Sequence, residues 1–183
     1  MINQFIKTSF ILGGFGTLLI LLGMAIPAWM TDSSRDVSAG LYLICGPGGC
    51  ASVSYQAGGL YASRAFIMIA FFCAIGGMVN GAIYYRRYFI QSIPNRRMSL
   101  GSAVLYFISA GCCFAGSIIF VTAGLREMTV YLYLLVGNRF DFTVTYSLGV
   151  AIVGALGSAG AGALTLIHLQ KEAGPQGTII THS

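Results

Sequence analysis

The stretch GSAVLYFISAGCCFAGSIIFVTAGL, residues 101–125, decides the fold. It carries no charged side chain over 25 positions. A helix needs about 20 mostly apolar residues to cross the hydrocarbon core of a bilayer. There every N–H and C=O must be paired inside the segment, so such a run becomes helical whatever its side-chain propensities. Three further stretches read the same way, at about 9–30, 62–85 and 146–169. The whole chain agrees, with 56% hydrophobic and only 8% charged residues and a mean hydropathy of +0.80. A soluble domain carries roughly a quarter charged residues, so an ordinary soluble fold is excluded. The 183 residues suit one domain.

The net charge of +5 does not point to nucleic acid, because the arginines form no stripe on a polar face. They sit between the apolar runs, where they set topology. The segment 86–100 holds Arg86, Arg87, Arg96 and Arg97 and no acid, which predicts a cytoplasmic loop. The N-terminus with Lys7 and the tail 170–183 with Lys171 then share that side. Segments 31–61 and 126–145 balance their charges and are expected outside, in a multi-pass protein of the plasma membrane. The arginine pairs are also expected to attract anionic inner-leaflet lipids. The first apolar run is long enough to span and lacks a small-residue cleavage site, so it reads as a retained helix rather than a signal peptide.

Small residues are dense in the spans: Gly149, Ala151, Gly154, Gly157, Ser158, Gly160 and Gly162 in the fourth, Gly77 and Gly81 in the second, Cys112 and Gly116 in the third. Small residues let helix backbones approach where no hydrophobic drive exists between them. A left-handed four-helix bundle is expected. A homodimer face is the alternative, and the spread of small residues over more than one side of the fourth span favours bundle packing.

The segment 31–61 departs from this composition. Leu41, Leu43, Val53 and Tyr55 alternate with smaller or polar residues, the period of a strand. Between them lies Cys45-Gly46-Pro47-Gly48-Gly49-Cys50, a tight turn that a disulfide would clamp into a hairpin. The other cysteines, Cys73, Cys112 and Cys113, lie in apolar runs and read as small packing residues. The fold class expected is thus an all-α membrane protein, a left-handed four-helix transmembrane bundle with a small antiparallel extracellular β-sheet.

The frame Trp29 … Gly40-Leu41-Tyr42 … Cys45 … Cys50 resembles the Trp … Gly-Leu-Trp … Cys … Cys signature of the claudin and peripheral myelin protein superfamily. Leu21-Leu22-Gly23-Met24-Ala25-Ile26-Pro27-Ala28-Trp29 is similar to the end of a claudin first helix. Tyr61-Ala62-Ser63-Arg64-Ala65-Phe66 resembles the start of the second helix, and Tyr146-Ser147-Leu148-Gly149 the start of the fourth. The resemblance implies that Cys45 and Cys50 form the family disulfide and that Trp29, Gly40, Leu41 and Arg64 fix the sheet to the bundle. Tyr42 stands where the family has Trp, keeping an interfacial aromatic without the indole donor. Segment 31–61 is shorter than in tight-junction claudins, so a divergent, short-loop member is implied. The chain ends Ile180-Thr181-His182-Ser183 with no apolar last residue, so a PDZ scaffold is not an expected partner.

Chemistry-bearing clusters are sparse. Cys45 and Cys50 are spaced too widely for a C-x-x-C redox pair and have no nearby His or acid. No metal-ligand spacing, cofactor motif or acid–base cluster is evident, so an enzyme, a small-molecule substrate and a cofactor are not expected. Asp32, Arg35 and Asp36 read as a solvated hairpin tip. Tyr131, Tyr133, Phe140 and Phe142 read as a partner contact or an interfacial aromatic belt in the loop 126–145. The resemblance implies a claudin-like protein of cell–cell contacts, acting through its extracellular loops on itself in cis or trans. The alternative is an auxiliary subunit of a channel or receptor, bound to another membrane protein.

Overall fold

The computed structural model describes residues 2–32, 36–52, 58–91, 96–137 and 141–173. Arg35, Val53, Tyr55, Phe140 and the tail 174–183, all of which enter the sequence reading, lie outside the described residues. Helix α1 covers Ile2–Ala25, α2 Gly58–Gln91, α3 Arg96–Ile119, α4 Leu125–Val136 and α5 Tyr146–Ala173. A π-helical segment, Phe120–Gly124, joins α3 to α4 without a break, so the third helix runs continuously from Arg96 to Val136. Four helical segments, Gln4–Ala25, Gly58–Tyr88, Arg96–Leu134 and Tyr146–Lys171, are long and apolar enough to cross a membrane.

Two helix ends have a local cause. Helix α1 stops just before Pro27, which has no N–H to continue the ladder. Helix α4 stops at Gly137, whose φ of 72° is the left-handed conformation of a helix C-cap. Its N–H donates to the Tyr133 carbonyl at 2.8 Å.

The bundle is held by close backbone approach and by hydroxyls that reach the next helix. Helix α1 packs most extensively on α5, α2 on α3 and α3 on α5, while α1 and α2 touch less. A Cβ on Gly16 would stand 2.8 Å from the Gly154 carbonyl oxygen, and one on Gly154 would stand 2.8 Å from the Ile20 nitrogen. No side chain fits between these backbones. Gly162 faces Phe107 and the Ala103 carbonyl of α3 instead, so the small residues of α5 serve two neighbours. Ser63 donates to the Gly116 carbonyl at 2.8 Å, Ser102 to Gly77 at 2.7 Å and Ser9 to Ala161 at 2.7 Å.

At one end of the bundle lies a five-stranded antiparallel sheet in the order β4-β3-β2-β1-β5. Strand β1 is Met30–Asp32, β2 Val37–Ala39, β3 Leu43–Gly46, β4 Gly49–Ser52 and β5 Thr143–Val144. In register, Cys45 faces Cys50 across the β3–β4 hairpin and Met30 faces both Ala39 and Val144.

Four expectations change. The sheet recruits β5 from the second loop, not the first alone. The stretch 126–136, read as loop, is helical, because it continues the third helix rather than leaving it. Leu41 is no strand residue but a buried bend between β2 and β3. Asp32 is not at a solvated tip: it is 2% exposed, and its Oδ2 accepts the Asp141 N–H at 3.3 Å, tying β1 to the approach to β5. Alternation marks a half-exposed strand, and it is silent where partners come from 110 residues away.

Gly154→Val forces α1 and α5 apart and is expected to cost about 1–3 kcal/mol of stability or more, since the obstacle is backbone. Gly149→Val, where a Cβ meets nothing within 4 Å, is expected to leave the melting temperature in detergent unchanged. Thermal unfolding followed by circular dichroism compares the two.

Candidate functional site at the sheet end of the bundle

Trp29 sits where α1 gives way to the sheet and is fully buried. In an uninterrupted helix the Gly23 carbonyl would accept from the N–H of residue 27, four positions on. Residue 27 is proline, so that donor is missing. The Trp29 indole Nε1–H turns back and donates to the Gly23 carbonyl in its place. The ring packs edge-on against Phe120, centroids 4.9 Å apart. Its backbone belongs to the sheet: the Trp29 N–H donates to Ala39 and its carbonyl accepts from Thr145, both at 3.0 Å. One residue therefore joins α1, the π segment, β2 and the β5 strand.

Gly40-Leu41-Tyr42 lies beside it. A Cβ on Gly40 would come 2.7 Å from Pro27 Cα, so only glycine lets this bend rest on the end of α1. Leu41 is fully buried in the same core cluster as Trp29, Phe120 and Met128. Arg64, on the second turn of α2, donates from Nε to the Leu41 carbonyl at 2.6 Å. Its guanidinium stands 5.3 Å from the centre of the Tyr42 ring, within cation–π range. Burial raises the Tyr42 phenol pKa, more than the neighbouring Arg64 lowers it. Trp29, Gly40, Leu41, Tyr42 and Arg64 are thus brought into one clamp.

Cys45 and Cys50 form a disulfide, sulfurs 2.01 Å apart and Cα atoms 4.0 Å apart. The short Cα separation is that of a non-hydrogen-bonded antiparallel pair. The hairpin projects from the clamp, and all of β4 is exposed.

Glu127 is the residue that sequence reasoning missed. In the sequence it is one of the charges that balance in the segment 126–145. Its carboxylate accepts the N–H of Gly59 at 3.1 and 3.0 Å and that of Leu60 at 3.1 Å. These donors open α2, where the helix dipole favours a negative charge. Gly59 makes the approach feasible, since a Cβ there would lie 2.6 Å from that of Ala123 in the π segment. The signal was faint: an acid followed the apolar run where a loop was expected, and nothing local shows which helix end it meets.

The three described aromatics of this set differ in exposure. Tyr131 and Phe142 pack partly buried against the core, Tyr133 is 49% exposed, and Phe140 lies outside the described residues. Exposed beside Tyr133 are Val130 and Leu134, one turn apart on α4. At the other end of the bundle Arg86, Arg87, Arg96 and Arg97 are all exposed. There His168, 1% exposed, meets the Tyr84 hydroxyl at 3.2 Å beside a cavity of about 20 Å³ lined by Ser9, Ser99, Ser102 and Thr165. That volume holds about one water.

Among the described residues no group of three or more His, Cys, Asp or Glu could hold a metal ion. The chemistry at the sheet end is that of a rigid mount: it fixes the pose of a small disulfide-bonded sheet on a helical bundle. Compared with known proteins, the sequence matches no family model and no curated protein.

Trp29→Phe strands the buried Gly23 carbonyl and is expected to cost about 1–3 kcal/mol. Adding Pro27→Ala restores an N–H at the vacant position. The double variant should recover part of the loss in thermal unfolding, whereas Pro27→Ala alone should not stabilise. Arg64→Ala is expected to raise protease sensitivity around 40–52, and Tyr42→Phe, which keeps the ring, to leave it as in the parent. Glu127→Ala should lower stability by about 0.5–2 kcal/mol, the range of a lost helix cap.

Proposed function

We propose that the chain is a divergent, short-loop member of the claudin and peripheral myelin protein superfamily, acting in cell–cell contact or junction organisation. In this reading the four long helices are a left-handed transmembrane bundle in the plasma membrane, with both termini cytoplasmic. The sheet lies outside the cell. The observation that carries it is the clamp: the residues that supply the resemblance, Trp29, Gly40, Leu41, Tyr42 and Arg64, all converge on the joint between α1, α2 and the sheet. Charge supports the orientation. Arg86, Arg87, Arg96, Arg97, Lys7 and Lys171 stand against Glu172 alone at the end away from the sheet, whereas the other four of the five acids, Asp32, Asp36, Glu127 and Asp141, lie at the sheet end.

A second reading, an auxiliary subunit of a channel or receptor, draws on α4. The third helix runs 39 residues from Arg96 to Leu134, roughly 58 Å at 1.5 Å per residue. The hydrocarbon core is about 30 Å thick. The exposed Val130, Tyr133 and Leu134 stripe lies near its far end, beyond what one bilayer covers.

Expression of a tagged chain in cells that form no contacts of their own distinguishes the two. Enrichment at borders between expressing cells is expected. A uniform surface distribution, with one stoichiometric membrane partner recovered in mild detergent, would favour the subunit reading. A tag at the N-terminus should become antibody-accessible only after permeabilisation.

A further inference from the structure

Helices α1 and α2 part at the end away from the sheet and leave an open apolar groove of about 300 Å³. Lys7, Phe10 and Ile11 line it from α1, and Ala82 and Tyr85 from α2. The spacing is that of one helix face on each side, i, i+3, i+4 and i, i+3. None of the described residues covers it: Phe10 is 41% and Ile11 70% exposed. Among the described residues, Lys7 is the one charged residue of the lining, beside four uncharged residues.

We propose that this groove is a binding site for an anionic phospholipid, with the acyl chain lying on Phe10, Ile11 and Ala82 and the phosphate at the Lys7 ammonium. The inference goes beyond the proposed function and stands without it, requiring only that the four helices lie in a bilayer. Charge decides for this occupant. The surrounding end of the molecule carries Arg86 and Arg87 on the same helix as Ala82 and Tyr85, then Arg96, Arg97 and Lys171, against the single acid Glu172. Arginine and lysine at a membrane surface concentrate anionic lipid. An acyl chain is slender enough to lie along a groove of this volume lined by five residues. Lys7 lies 18 residues before the end of α1, roughly 27 Å along the axis, which puts its ammonium near the headgroup level when the far end of α1 reaches the other interface.

Native mass spectrometry of the full chain, released from detergent after exposure to equal amounts of palmitoyl-oleoyl phosphatidylserine and phosphatidylcholine, tests this. One phosphatidylserine should be retained in preference to phosphatidylcholine. Lys7→Gln is expected to reduce that preference about fivefold, and Ala82→Trp, which fills the groove, to reduce retention of either lipid. Arg96→Gln with Arg97→Gln, outside the groove, should leave the preference in place. Equal retention of the two lipids by the parent chain, or a larger loss from the Arg96/Arg97 pair than from Lys7→Gln, would mean diffuse attraction and overturn the site. A photoreactive residue at Ile11, in the otherwise parental chain in vesicles of the same lipids, supplies a readout independent of variant folding. Cross-linking to phosphatidylserine is expected. Cross-linking to a polypeptide, or displacement of the lipid by millimolar inorganic phosphate, overturns the proposal.

Discussion

A single carbonyl group organises the sheet end of this molecule. Pro27 ends α1 and in doing so removes the donor that Gly23 would otherwise have used. A carbonyl left unpaired in an apolar interior is expensive, and the Trp29 indole is placed two residues further on to replace the donor. The replacement turns the chain sharply, so the tryptophan backbone becomes part of the sheet while its ring fills the top of the bundle against Phe120. The rest of the sheet end is arranged around that ring. Gly40 lies on Pro27 because nothing larger fits, and Leu41 completes the core. Arg64 takes up the carbonyl that the Leu41 bend leaves outside any ladder.

The second half of the chain reaches the same joint by a different route. The third helix continues past Phe120 through a π segment, whose extra residue per turn shifts the face that follows. That places Ala123 and Glu127 over the start of α2. Beyond Gly137 the chain returns as β5 and pairs with β1 beside Trp29. Both connecting segments at this end are therefore built into one sheet. The disulfide hairpin lies at the opposite edge from β5, where β3 pairs with β2 and β4 is held by β3 and the Cys45–Cys50 bond. A rigid base with a projecting hairpin suits a surface that meets another protein. The cationic end also holds the apolar groove, which lies there because α1 and α2 are the neighbouring helices that touch less.

Much of this was legible in the residues. Apolar runs marked four long helices, and the composition of the chain excluded an ordinary soluble fold. The Gly-Pro-Gly-Gly turn between Cys45 and Cys50 announced a hairpin. What could not be read were the meetings between distant segments. Asp32 looked like a loop charge and is buried against Asp141. Glu127 looked like a counter-charge and caps another helix. The run 131–136 looked like an exposed apolar loop and is the last turns of a helix. His168, a lone histidine near a chain end, is buried against Tyr84. In each case the residue's local sequence is the same for both outcomes, and the difference lies in what stands opposite.

The sequence by itself determined the number of helices, their apolar character and the asymmetry of charge between the two ends. These follow from hydropathy and from backbone hydrogen bonding, which are properties of contiguous stretches. The tertiary structure alone decided that Trp29 serves Gly23, that Arg64 reaches Leu41, that β5 joins β1 and that α1 and α2 part enough to leave a groove. Those are distances between atoms 6 to 114 residues apart in the chain. They depend on how closely glycines such as Gly16 and Gly154 let the helices approach, a quantity that no single segment contains.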